Sequence, residues 1–344
     1  MVAAQFKVLG LVLNVVTGGA VSQSVGMVIG AVIVLTYTTF GGMFSVAILD
    51  FIQISVIMGG LLYIASIISG LAGGVEVVIS HAAQAGKLEL FPTATVAAWI
   101  PFIGVWITMM LGSIPQQDVF QRITSAKDER TAVRGSILGG TLYFCFCFVP
   151  MFLAYAATLV DPTLFTTLLD QDSQLVLPTL ILRHTPVFAQ IVFFGAVLAA
   201  VMSCASATLL APSVMLSENV IKGMLPRLSD REFLRVMRLV VVFAALVLTI
   251  ALSSGSSIYQ LVVSTYKLTL VAAFVPLCAG LFWPRATTQG ALCALVAGLM
   301  TWMGLELFGP SDSIWPPQLV GFLVAAARMV VGSLLPQKIG TREA

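Results

Sequence analysis

The chain has 344 residues, of which 59% are hydrophobic and only 9% are charged, and its mean hydropathy is +1.03. Soluble domains usually carry about 25% charged residues, so this composition excludes an ordinary soluble domain and predicts an integral membrane protein. The net charge of +2 does not indicate nucleic-acid binding.

Ten apolar segments are close to the ~20 residues that a membrane-spanning helix needs. In chain order they are 1–17, 24–40, 46–71, 95–114, 136–160, 187–221, 235–253, 258–283, 287–307 and 315–335. The connection 115–134 is polar and basic, and it predicts a loop with a short helix. Loops 72–94 and 161–186 are longer and fall on the opposite side. No segment resembles a soluble domain, so we expect a single transmembrane domain over 1–344.

The positive charges predict the orientation of these spans. With the N-terminus inside, twelve lysines and arginines fall in the cytoplasmic connections and the C-terminal tail, whereas only Lys87 and Arg183 fall in the opposite loops. This asymmetry follows the positive-inside rule. We therefore expect a multi-pass protein of a bacterial-type plasma (inner) membrane, with both termini cytoplasmic.

Two spans contain residues that interrupt helical hydrogen bonding. The span 95–114 contains Pro101 and Gly112 and is followed by Pro115, and the span 258–283 contains Pro276. Proline removes a backbone donor inside a helix. Exposed carbonyls at membrane depth are tolerated beside protein or a water-filled cavity. These interruptions therefore indicate either a solute pathway or simple kinks, and the sequence leaves both open.

The span 187–221 carries small residues along one face. They recur at i, i+4, i+7, i+11 and i+15, and Ser206 lies beside them. These five residues are Ala196, Ala200, Ser203, Ala207 and Ala211. Such a face lets another backbone approach closely. A hydroxyl in hydrocarbon needs a partner, which here is a carbonyl of its own helix, a neighbouring helix, or a bound ion or solute. The last possibility predicts a transport protein.

Two ionisable residues within spans need an explanation. Asp50 lies four residues into the span 46–71, with Gln53 one helical turn later, and it requires a cation, a proton or access to the interface. Lys267 requires a carboxylate, a depressed pKa or an anionic ligand. Glu306 is a possible structural partner for Lys267, and contact with a substrate is the alternative.

The residues of an enzyme or a resident metal site are not apparent. The five cysteines lie in predicted spans without a CxxC pair, and the HExxH and GxSxG motifs are absent. His81 and His184 lie in the outer loops. The sequence therefore predicts neither enzymatic activity nor a cofactor.

Four stretches together resemble the sodium:solute symporter family, which includes proline, pantothenate, choline and glucose cotransporters. They are TYTTFGGMFSVAILDFIQ at 36–53, SIPQQDVFQRITSAKD at 113–128, AVLAAVMSCASATLLAPSVMLSENVIK at 196–222 and GLFWPRATTQGALCALVAG at 280–298. The resemblance implies a LeuT-type fold with two inverted repeats of five helices. The spans then correspond to core helices three to ten over about 1–283 and to two peripheral helices over about 287–335. The first two core helices would be absent, as in an N-terminally truncated chain.

The resemblance also implies roles for particular residues. Ala200, Ser203 and Cys204 match the part of a sodium site that the eighth core helix contributes, and Asp50 matches an aspartate implicated in cation coupling. Cys204 stands where relatives usually have Ser or Thr, and a thiol is a poor ligand for a hard cation. Other matched or candidate positions are Met109, Ser113 and Lys267 for the substrate cavity, and Gln121 and Arg122 for gating or anchoring at the cytoplasmic end.

The sequence therefore predicts secondary active symport of a small polar organic solute, coupled to a cation, with sodium as the expected ion. The expected partners are this solute, sodium and the lipid bilayer, without nucleic acid. Two alternatives remain open: an inactive or partial symporter, and a membrane sensor derived from a transporter.

Overall fold

The computed structural model describes residues 1–92, 95–225, 229–251, 257–310 and 313–337, and most of this range is helical. The helices are α1 Val2–Val16, α2 Gln23–Leu71, α3 Val75–Gln84, α4 Val96–Gly112, α5 Gln117–Thr124, α6 Glu129–Phe146, α7 Phe148–Val160, α8 Pro162–Asp172, α9 Val176–His184, α10 Val187–Leu216, α11 Lys222–Met224, α12 Asp230–Ala251, α13 Ile258–Thr269, α14 Val275–Phe282, α15 Thr288–Phe308 and α16 Pro317–Leu334.

The chain forms two compact units. The first contains Met1–Leu90 and Gln121–Ile258, and the second contains Phe91–Phe120 and Tyr259–Ala344. The single transmembrane domain expected from the sequence stays a prediction.

Within the described residues, seven helical segments are long and apolar enough to cross a bilayer. They are Ala47–Leu71, Val96–Thr124, Glu129–Val160, Val187–Met224, Ile258–Phe282, Thr288–Phe308 and Pro317–Leu334. Two shorter apolar helices, Val2–Val16 and Gln23–Thr36, correspond to the first two predicted spans. The remaining predicted span, 235–253, falls on α12 and lies partly outside the described residues.

The second and third predicted spans form one helical element, α2, of 49 residues. A straight helix of this length would measure about 70 Å, whereas the hydrocarbon core of a bilayer is about 30 Å thick. The N-terminal part of α2 packs on Gly10 of α1 through Gly26. Its C-terminal part contributes Ile64 and Ile68 to the core that contains Val12 of the same α1. The N-terminal and C-terminal parts of α2, called its two limbs below, correspond to the two predicted spans and both belong to the first unit.

The core of the first unit lies where α1, α2, α7, α9 and α10 meet. Ile64, Leu153, Leu180 and Ile181 are almost completely buried there. The loop predicted at 161–186 is mostly helical, because it contains α8 and α9. Asp161 caps α8 by accepting a hydrogen bond from the Leu164 backbone. These short helices escaped prediction because hydropathy identifies long apolar spans and not short amphipathic turns.

The second unit is built around the pair α15 and α16. Gly290, Ala294 and Gly298 recur every fourth residue on α15, and Gly290 approaches Ser333 of α16 too closely for any side chain. Such small-residue spacing allows close packing of helices in membranes.

The helices are irregular near two prolines, Pro276, where the sequence predicts an interruption, and Pro150, where it does not. Leu270–Phe274 is π-helical and connects α13 to α14, directly before Pro276. A proline cannot donate the hydrogen bond of a regular turn, and a π-helical turn is one way to accommodate it. The predicted span 136–160 is likewise divided at Cys147 into α6 and α7, three residues before Pro150.

Candidate cation-binding site

The small-residue face of α10 packs against the C-terminal limb of α2. A Cβ atom placed on Gly60 of α2 would lie 3.2 Å from both Ala196 Cβ and Val192 Cγ1 of α10. Ala196, Ala207 and Ala211 are almost completely buried. The close approach predicted from the spacing is therefore present, and it brings short side chains of the two helices within hydrogen-bonding distance.

Asp50 and Ser203 meet in this helix crossing. The Ser203 hydroxyl donates a hydrogen bond to Asp50 Oδ1. The other carboxylate oxygen, Oδ2, accepts a hydrogen bond from Arg122 Nη2 at 2.6 Å. The Asp50 side chain is 21% exposed and that of Arg122 is 47% exposed. Three residues singled out separately in the sequence therefore form one cluster in the first unit.

The neighbouring residues of α10 extend this cluster along the helix. Ala200 lies on the same face of α10 as Ser203, one turn earlier. Cys204 Sγ accepts a hydrogen bond from Gln5 Nε2 of α1 at 3.2 Å. Gln5 was not predicted, because 199 residues separate it from Cys204 and no local pattern connects them.

The remaining anchor candidate, Gln121, lies in the last turn of α5 next to Arg122. Its backbone carbonyl accepts a hydrogen bond from the Ser125 hydroxyl at 2.6 Å. This bond closes the turn that follows α5, so it positions the segment from which Arg122 reaches Asp50.

The substrate-cavity candidates lie in the second unit. Met109 is exposed on α4, and Ser113, at the end of α4, donates to the Met110 carbonyl at 2.9 Å. Beside Ser113, the Gly112 carbonyl accepts a hydrogen bond from Thr269 Oγ1 at 2.5 Å. The end of α4 is thus fixed to α13 where the sequence predicts a helix interruption.

Lys267 forms an ion pair with Glu306, its possible structural partner. Its ammonium donates to both carboxylate oxygens, at 2.9 and 3.3 Å, and Glu306 also accepts from Trp302 Nε1. The pair lines an open cavity of about 490 Å³ together with Trp315. This contact favours the structural explanation for the Lys267 charge.

Comparisons with known proteins identify the family of this chain. Residues 2–298 match the model of the sodium:solute symporter family. The chain is 29% identical to the high affinity choline transporter 1 of Homo sapiens over 316 residues, which cover 86% of this chain and 52% of that protein. It is 27% identical to the sodium/proline symporter of Haemophilus influenzae over 340 residues, which cover 93% of this chain and 65% of that protein.

A solved structure shares the fold. A Na+-coupled sialic acid symporter in a substrate-bound, outward-open state superposes with a TM-score of 0.76 at 18% identity, over 96% of this chain and 73% of that one. The likeness shows the LeuT-type fold that the sequence resemblance implied. The chain spans about half the length of the choline transporter and about two thirds of that of the proline symporter.

The family model covers most of the chain, and the helical architecture agrees with it. The protein is a multi-pass integral membrane protein of the transporter class and not an enzyme. The chain belongs to the sodium:solute symporter family.

Proposed function

We propose that this protein takes part in Na+-coupled symport of a small polar organic solute, and that Asp50, Ser203 and Ala200 bind the cation. The observation that carries the proposal is the direct contact between Ser203 and Asp50 in a close crossing of two apolar helices. A carboxylate in such surroundings is unfavourable unless a positive charge compensates its own charge. A monovalent cation supplies one, because it neutralises the carboxylate.

The hydrogen bond that Ser203 donates leaves its hydroxyl oxygen available to a cation. Its hydroxyl proton is directed at Asp50, so the lone pairs of Oγ are available to a hard cation, which prefers oxygen ligands. Ala200 offers a backbone carbonyl on the same face of the helix. Cys204 offers sulfur, a poor ligand for sodium, and its thiol instead accepts a hydrogen bond from Gln5. Cys204 was a predicted ligand, and in this proposal its contribution is limited to its backbone.

Arg122 acts in this proposal as the competitor of the ion. Its guanidinium occupies one oxygen of Asp50 and supplies the positive charge that sodium would supply. Because the side chain is almost half exposed, it can withdraw without loss of buried contacts. Arg122 and its neighbour Gln121 would thus connect occupation of the cation site to the conformation of the segment that follows α5.

The solute is proposed by class. The matched relatives carry choline and proline by name, and both are small polar organic molecules. Met109 and Ser113, at the end of α4, remain the candidate residues of the substrate cavity. Lys267 is a weaker candidate, because Glu306 already neutralises its charge.

Uptake by the purified protein in proteoliposomes tests this function. An imposed inward Na+ gradient should drive accumulation of at least one labelled solute from a panel of amino acids, quaternary amines and small carboxylates, whereas a K+ gradient should not. Ser203→Ala should weaken the Na+ dependence strongly. Cys204→Ser is the matched control on the next residue and should leave it unchanged or strengthen it. Accumulation that is equal in Na+ and K+ would refute the coupling.

A further inference from the structure

Gln53 has a buried side-chain oxygen without a hydrogen-bond partner in the described part of the chain. Its side-chain Oε1 is inaccessible to solvent and accepts no hydrogen bond from the residues that the structure describes. A buried acceptor without a donor is unfavourable and needs an explanation, such as an unseen water or ion. A bound ligand would explain this buried oxygen, and the position of Gln53 on α2 indicates which ligand it is.

Gln53 lies on the face of α2 that packs against α10. Positions 50, 53, 57, 60 and 64 recur at helical spacing and are less exposed than the residues between them, such as 51, 52 and 54–56. Asp50 on this face contacts Ser203, and Gly60 contacts Ala196. Gln53 lies between these two contacts, so its side chain points at α10.

The register of the two helices identifies the residue that Gln53 faces. From Asp50 to Gly60 along α2, the partner on α10 changes from Ser203 to Ala196, so the helices are antiparallel. Three residues after Asp50, the opposite position lies two to three residues before Ser203, and Ala200 is the residue there on the small-residue face of α10. This register places Gln53 opposite Ala200, whose carbonyl belongs to the proposed cation site.

We infer that Gln53 Oε1 is a further ligand of the cation site, next to Asp50, Ser203 and the Ala200 carbonyl. This inference rests on the proposed function and adds a specificity-determining residue to it. Amide oxygens are neutral, hard ligands that complete the coordination of such cations without adding charge. With Asp50 as the one anionic ligand, a monovalent cation makes the site electrically neutral, whereas a divalent cation leaves an excess charge in apolar surroundings.

The experiment measures cation binding directly. Thermal unfolding of the purified protein in detergent is followed at increasing NaCl, with LiCl and KCl as parallel series and N-methyl-D-glucamine chloride to hold the ionic strength constant. A ligand that binds only the folded state raises the melting temperature with its concentration. The half-saturating NaCl concentration is then compared between variants.

Two substitutions of Gln53 separate a ligand from a packing residue. Gln53→Met keeps the length of the side chain and removes the oxygen, so we expect half-saturation at a roughly tenfold higher NaCl concentration. Without sodium its melting temperature should equal that of the wild type or exceed it, because no acceptor is left unpaired. Gln53→Glu keeps an oxygen and adds a charge, so it should retain the Na+ response and gain a response to CaCl2. Ser55→Ala, on the exposed face of the same helix, is the control and should behave as the wild type.

The outcomes distinguish this inference from the function on which it rests. If Asp50→Asn and Ser203→Ala lose the Na+ response while Gln53→Met keeps the wild-type half-saturation, the site is real and Gln53 is not a ligand. A lower melting temperature of Gln53→Met without sodium, at unchanged half-saturation, would likewise make Gln53 a packing residue and overturn the inference. If the wild type does not respond to sodium at all, both the proposed cation site and the role of Gln53 are refuted.

Discussion

Two adjacent glycines of α2 provide a test of the helix crossing that holds the candidate site. Gly60 faces α10, and a Cβ atom there would lie 3.2 Å from two side-chain carbons. Gly59 points the other way, and a Cβ atom there would meet nothing within 4 Å. Gly59→Ala and Gly60→Ala therefore make the same chemical change on opposite faces of one helix.

The magnitudes follow from these two environments. Replacing glycine by alanine inside a helix is favourable by about 0.5 to 1 kcal/mol, because less backbone entropy is lost on folding. At Gly59 only this gain applies, so Gly59→Ala should be slightly more stable than the wild type. At Gly60 the added methyl presses on Ala196 and Val192, and overpacking of this kind costs about 1 to 3 kcal/mol. Gly60→Ala should therefore be less stable than Gly59→Ala by about 1 to 3 kcal/mol.

The crossing also determines how closely Asp50 and Ser203 approach each other. Asp50 precedes Gly60 on α2 by ten residues, or about 15 Å. Gly60→Val should separate the helices more than Gly60→Ala does, and it should raise the half-saturating Na+ concentration at least about fivefold, or about 1 kcal/mol. Thermal unfolding in detergent, with and without NaCl, measures both quantities. Equal stability and equal Na+ response of the Gly59 and Gly60 variants would refute the assigned packing of α2 on α10.

Three further outcomes are expected. Gly290→Ala should destabilise the protein by about 2 kcal/mol or more in thermal unfolding, because the new methyl would overlap the Ser333 hydroxyl, whereas Gly304→Ala on the same helix meets open space and should not. Arg122→Gln should lower the half-saturating Na+ concentration by up to about fivefold, since it removes a partly exposed competitor for the carboxylate; an increase would contradict the competition. The pKa of Asp161 is lowered from 3.8 to about 2, chiefly by the hydrogen bond from the α8 backbone and then by its histidine partner, so the ionised form stabilises α8 above about pH 4. This stabilisation should disappear as the pH falls from about 4 to 2, and hydrogen exchange of the first turn of α8 measures it, with Asp161→Asn as a variant that should not titrate there.

Hydropathy predicted the spans of this protein because the bilayer imposes one strong condition on every spanning segment, which is length in apolar residues. It did not predict that 24–40 and 46–71 belong to one helical element, α2, since the way in which two spans are joined depends on tertiary packing. The prolines are a local signal for helix interruption, and the π-helical turn lies shortly before one of them, Pro276. Short helices such as α8 and α9 had no comparable signal.

The residues of the candidate site were predicted from their chemistry and from the family resemblance, but the contacts between them were not. Asp50 and Ser203 attracted attention because a carboxylate and a hydroxyl are unfavourable in hydrocarbon. Their contact joins positions 153 residues apart, and that between Arg122 and Asp50 joins positions 72 residues apart. A single sequence contains no information about pairs at that separation. The ion pair of Lys267 with Glu306 was foreseeable as a possibility, because few charges are available within the spans.

The geometry assigns different physical roles to the members of the proposed site. Asp50 and Ser203 have short side chains, and they meet only because Gly60 and Ala196 let the two helices approach closely. The close packing of the two helices therefore also holds the cation ligands together. Movement of α2 away from α10 would separate the oxygen atoms of the site. Arg122 alone in the cluster has a long and partly exposed side chain. We therefore expect the exchange between ion-free and ion-bound states to be carried by movement of Arg122, while α2 and α10 stay together.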